Sequence, residues 1–139
     1  MLTKRRDWEP RLVSYLQSQI GKPFEWATRD CTSVIIEAIE AMLGTDFPAP
    51  ELAYNTRNQA LVFKKRHPSL FQLIKKHCET VPVPVGFEQR GDILFLSRQG
   101  FQCAHIVLDR KLLSVDFEHG VQLGQMRDMP PHRRGIRIL

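Results

Sequence analysis

From Trp8 onward the apolar residues Leu12, Val13, Leu16 and Ile20 recur at helical spacing, and Gly21 follows as a stop. This pattern predicts an amphipathic helix over 8–20. Residues 22–29 hold Pro23, Phe24 and Trp26 and read as a connecting loop. Asp30 then stands at a helix N-cap position, ahead of a second helix over 31–43 that Gly44 ends. Counted from Cys31, the residues Val34, Ile35, Ala38, Ile39 and Met42 fall at i+3, i+4, i+7, i+8 and i+11. Cys31 therefore opens the buried stripe of this helix, at the end where the stripe meets solvent.

The character of the chain changes twice after Gly44. A stretch interrupted by Pro48 and Pro50 leads into helical patterning around 58–65 and 69–77, which predicts a helical insert at about 47–84 that covers part of the molecule. Beyond Pro84 the apolar and alternating residues predict strands at 92–96, 104–108, 111–117 and 134–139. Asp109 and Arg110 fit a tight hairpin between the second and third of these. Helices followed by an antiparallel sheet predict an α+β fold.

Composition narrows the class. The 139 residues, 42% apolar and 25% charged, are expected to make one domain, 1–139, with one core. No apolar run approaches the roughly 20 residues of a membrane span. The charged start, MLTKRRDWEP, does not resemble a signal peptide, so synthesis and residence in the cytoplasm are expected. The formal charge of +5 is spread over distant clusters without interleaved aromatics, so no nucleic acid partner is expected. No glycine-rich phosphate loop occurs and no cofactor is expected. The three cysteines, Cys31, Cys78 and Cys103, are too few and too widely spaced for a disulfide framework and read as free thiols. A zinc site from Cys31, Cys103 and His105, with His77 or Cys78 as fourth ligand, lacks the close ligand pair that structural zinc sites normally use, and no metal is expected.

The candidate chemistry starts at Cys31. A helix N-terminus and a neighbouring imidazole both favour the nucleophilic thiolate. His105 supplies an imidazole because it interrupts an apolar strand, sharing a face with Cys103 and Val107 while Ile106 and Leu108 share the other. Sulfur and ring can meet if the Cys31 helix covers the His105 face. A polar residue on the next strand would orient the ring. Ser114, Asp116 and Glu118 share a face there, and Asp116 is the first choice because the hairpin sets it roughly opposite His105; His119 is the second.

The string DCTSVIIEAIEAMLG, followed by RGDILFL and HIVL, resembles the NlpC-type cell-wall peptidases of the papain-like fold. The likeness runs from about Gly21 to Gly120, and the segment around Phe24-Glu25-Trp26 is most similar to small relatives encoded in phage tail-gene clusters. The resemblance implies a papain-like fold with N-terminal helices on an antiparallel sheet. It implies Cys31 as nucleophile, His105 as general base and Asp116 as orienting residue. The implied substrate is a peptide amide in peptidoglycan, the implied setting a phage or prophage tail (the virion), and the implied partners other tail proteins. The chain departs from the family at Ala27-Thr28-Arg29 and at Val107, where glycines are usual, and at Asp116, where histidine is common. These departures favour the alternative, a catalytically inactive structural or assembly protein of the tail tip with the same fold.

Overall fold

The computed structural model describes residues 1–98 and 100–139. Helix α1 (Trp8–Gln19) and helix α2 (Ser33–Leu43) come first. They pack through Leu12 and Leu16 of α1 and through Val34, Ile35, Ala38, Ile39 and Met42 of α2, nearly all without solvent exposure. Gly44 ends α2 in the left-handed conformation, its N–H donating to the Glu40 carbonyl. The next region holds α3 (Arg57–Arg66) and α4 (Leu70–His77). Thr56 caps α3, and Ser69 with Gln72 forms a capping box on α4.

Six strands then form one antiparallel sheet. They are β1 (Thr80–Val83), β2 (Ile93–Arg98), β3 (Phe101–Leu108), β4 (Lys111–Asp116), β5 (Gly120–Gln125) and β6 (Arg134–Ile138), in the spatial order β1-β6-β2-β3-β4-β5. The α+β architecture expected from the sequence is the one observed, with β1 and β5 as additions. Pro82 fits β1 because the strand lies at the sheet edge, paired only with β6, where a missing N–H on the outer side breaks no ladder bond.

The two faces of the sheet differ. Ile93, Phe95, Ala104, Ile106, Leu113 and Val115 join the helices in the main core. The alternate positions Leu94, Leu96, Cys103, His105, Val107 and Leu112 belong to the other face by the pleat. So α2 covers the face of Ile106, not that of His105 as the sequence reading required. The meeting of Cys31 with His105 has to be made by the turn ahead of α2.

Asp92 explains the role of the Gly91-Asp92 pair. Its carboxylate is fully buried and accepts from Arg137 Nε at 2.8 Å and Nη2 at 2.9 Å, and from the Gln89 amide at 2.7 Å. Its carbonyl accepts from the Val107 amide, so one residue ties the start of β2 to the ends of β3 and β6. At the far end, Gly120 has φ 71°, and a Cβ there would lie 2.2 Å from the Lys22 carbonyl oxygen. Only glycine permits that approach, and Val121 N–H bonds to the same oxygen, anchoring the loop of Phe24 and Trp26 to β5.

Candidate active site

The turn before α2 is built on Asp30. Its carboxylate accepts from the amides of Thr32 and Ser33 at 2.9 and 2.8 Å on one oxygen, and from Ala27 N–H and Tyr54 O–H at 2.9 and 2.7 Å on the other. The Asp30 carbonyl accepts from Val34 N–H, so helical hydrogen bonding begins at Asp30 as the sequence suggests, although the regular helix starts at Ser33. Ala27 adopts φ 65°, a left-handed turn unusual for a residue with a Cβ. Asp30 N–H donates to Ser33 Oγ and Thr32 N–H to the Asp30 carboxylate, so the amides on both sides of Cys31 are engaged, and Cys31 N–H itself donates to none of the described residues. A free N–H beside a nucleophile is the donor an oxyanion needs.

Cys31 opens onto a cleft of about 880 Å³ that Cys103, His105, Ser114 and Asp116 also line. Cys103, on the His105 face of β3, lines the same cleft, and each of the two thiols acts on the titration of the other. The turn thus reaches the face that the body of α2 does not. Trp26 also lines the cleft, 4.7 Å from Phe24 and 6.3 Å from Tyr54, Phe101 and Phe117 between ring centres.

The thiols titrate as a unit. Their mutual interaction lets the pair release a first proton at about 7, assigned to Cys103; burial opposes this, and the Lys64 and Arg98 charges assist it. The same interaction, with burial, holds the Cys31 proton well above the usual thiol range. Cys78 is elsewhere, fully buried, and burial pushes it up to about 11.

His105 is 6% exposed, and neither ring nitrogen has a hydrogen-bond partner among the described residues. Burial, with a smaller contribution from the Arg98 charge, lowers its pKa to about 4, so the ring is neutral at pH 7. A buried, unpartnered imidazole is costly unless something else uses it.

Asp116 lines the cleft but is bonded elsewhere. It accepts from the amides of Glu118 and His119, lies 3.1 Å from His119 Nδ1, and accepts from Gln122 Nε2 at 2.8 Å. Partial burial pushes its carboxyl up, but the His119 bonds and charge outweigh this and hold it below the usual carboxylate range. The expected position of Asp116 opposite His105 is corrected by two residues: Ile106 pairs with Leu113, and one further step sets Ser114 across from His105. Glu118 also lines the cleft, and His119 lies beyond the strand against Asp116. Sequence reasoning missed Tyr54, which braces Asp30, and the partnership of Cys103 with Cys31; the signal for the latter was its shared face with His105. Among the described residues no three His, Cys, Asp or Glu side chains are placed to hold a metal ion. No helix among them is long and apolar enough to cross a membrane.

Comparison with solved structures identifies the fold. RipD from Mycobacterium tuberculosis, described as a non-catalytic NlpC/p60 domain protein adapted to peptidoglycan binding, is similar with a TM-score of 0.60 and 18% identity over 97% of this chain and 100% of that one. The P60 domain of an M. avium paratuberculosis antigen gives 0.56 and 20% over 96% of each chain. The NlpC/p60 domain of the peptidoglycan hydrolase SagA gives 0.57 and 16% over 90% of this chain and 95% of that one. The fold is that of NlpC/p60 domains. No curated protein sequence matches the chain. Residues 3–130 match the family described as Domain of unknown function (DUF6950).

Proposed function

Because the chain belongs to the DUF6950 domain family and carries the NlpC/p60 fold, we propose that it is a thiol hydrolase of peptide amide bonds in peptidoglycan. The observation that carries this reading is one open cleft lined by Cys31 and His105, with the Cys31 N–H left without an acceptor among the described residues. His105 is neutral and neither ring nitrogen has a partner among the described residues, so a nitrogen is available to accept a proton. As Cys31 Sγ attacks the amide carbonyl, His105 takes the thiol proton and passes it to the leaving amine. The Cys31 N–H stabilises the oxyanion. Water then gives a proton to His105 and displaces Cys31 from the acyl group, and the sulfur regains that proton. The orienting role belongs to Asp116 by resemblance and to Ser114 by strand register. The phage or prophage tail setting, with synthesis in the cytoplasm and other tail proteins as partners, rests on the sequence resemblance around Phe24-Glu25-Trp26; there the activity serves to open the wall.

The test is digestion of purified peptidoglycan by the wild type and by Cys31→Ala and His105→Ala, read as new amino groups and soluble peptides. Either substitution is expected to lower release at least about 100-fold. Ser114→Ala and Asp116→Asn then identify the orienting residue by which lowers kcat more. Wild-type release no greater than that of Cys31→Ala overturns the reading.

A second reading, a non-catalytic protein that binds the wall or assembles within a tail, is favoured by one observation: among the described residues neither ring nitrogen of His105 has a hydrogen-bond partner, Cys31 included. Sedimentation of the wild type with intact peptidoglycan, without release of peptides, supports it.

A further inference from the structure

The contact between Cys31 and Cys103 joins residues 72 positions apart in the chain, from the turn before α2 and from β3. Both are free thiols, both are partly exposed, and both line the same cleft, whereas Cys78 is sealed in the core. Cys31 in the turn and Cys103 on the cleft face of β3 line one cleft and act on each other's titration, which makes the side chains neighbours, and the opening to solvent admits a small oxidant. We propose that Cys31 and Cys103 form a reversible disulfide, a modification site that takes hydrogen peroxide as oxidant and a dithiol as reductant.

The chemistry balances in two displacements. One thiolate of the pair attacks a peroxide oxygen; the O–O bond breaks, the sulfur is oxidised by two electrons to a sulfenic acid, and the departing hydroxide takes up a proton to become water. The second thiolate attacks that sulfur; the S–O bond breaks, the S–S bond forms, and hydroxide again leaves as water. In sum, two thiols and one peroxide give a disulfide and two waters. Lys64 and Arg98, whose charges favour thiolate on Cys103, assist both displacements. The link itself does not depend on the hydrolase reading. Its consequence does: Cys31 in a disulfide has no nucleophile to offer, so oxidation switches the hydrolysis off and reduction restores it.

The experiment treats the reduced full chain with a few equivalents of hydrogen peroxide, then blocks remaining thiols and maps peptides without reductant. The expected result is a loss of 2 Da per molecule, one linked peptide joining Cys31 and Cys103, Cys78 recovered as a blocked thiol, and full reversal by dithiothreitol. In Cys103→Ser, with folding checked by circular dichroism, Cys31 instead gains oxygen in steps of 16 Da and the change is not fully reversed. The proposal is overturned if wild-type Cys31 over-oxidises as fast as in Cys103→Ser, or if the cross-link runs between molecules or through Cys78. If the link forms and neither redox form hydrolyses peptidoglycan, the hydrolase reading fails and the disulfide stands.

Discussion

Two buried polar regions lie at opposite ends of β3 and are built on opposite rules. At the Leu108 end, Asp92 is fully buried and fully answered: two guanidinium bonds from Arg137 and an amide bond from Gln89. At the Cys103 end, Cys31 and Cys103 act on each other's titration, and His105 is almost as buried with neither ring nitrogen partnered among the described residues. A chain that satisfies one buried charge so completely has no general difficulty in pairing polar groups. The unanswered ring at the cleft is thus a local choice, and buried polar groups without partners concentrate where a protein keeps capacity for a substrate.

The largest effect comes from breaking the answered region. Arg137→Met is expected to destabilise the chain by about 3–5 kcal/mol, because Asp92 stays buried without its counter-charge; urea unfolding measures it. Replacing both partners, Asp92→Asn with Arg137→Met, is expected to recover part of that loss.

The unanswered region predicts a pH signature of comparable kind and smaller size. His105 titrates at about 4 when folded, against an ordinary value of 6.5. The unfolded chain therefore binds more protons between these values, so stability rises with pH across the window and is lost as pH falls from 6.5 through 4. The full contribution is about 3 kcal/mol. His105→Leu is expected to flatten this part of the stability profile while leaving stability at pH 7 within about 1 kcal/mol of wild type. A variant profile parallel to wild type would place the titration elsewhere.

The smallest effect lies on the brace between the two halves of the site. Tyr54→Phe removes one donor from Asp30 and is expected to cost about 1–2 kcal/mol, read by thermal unfolding. It should also loosen the turn of Cys31, seen as faster amide exchange at Thr32 and Ser33.

The sequence made the helices, the four central strands and the pair Cys31 and His105 legible, because each rests on local periodicity or on a polar residue breaking it. β1 and β5 were hidden for physical reasons. Pro82 argues against a strand unless the edge position is known, and Gly120 and Gly124 dilute the alternation of β5. The residue across from His105 is legible only to within two positions, because one tight turn leaves the register open by that much; continuing the ladder one step past Ile106 and Leu113 gives Ser114. Tyr54 gave no signal, since its hydroxyl reaches Asp30 across 24 residues of chain with no shared element.

The central claim is that Cys31 and Cys103 act as one chemical unit in the cleft while His105 waits neutral beside them. Alkylation rates of each cysteine between about pH 4 and 10, read by peptide mass spectrometry in wild type, Cys103→Ser and His105→Ala, test it most directly. The account predicts a shared first titration at about 7 in wild type and in His105→Ala, an upward move of the Cys31 profile in Cys103→Ser, and no native reaction at Cys78. A Cys31 profile that ignores Cys103 and shifts only in His105→Ala would contradict it.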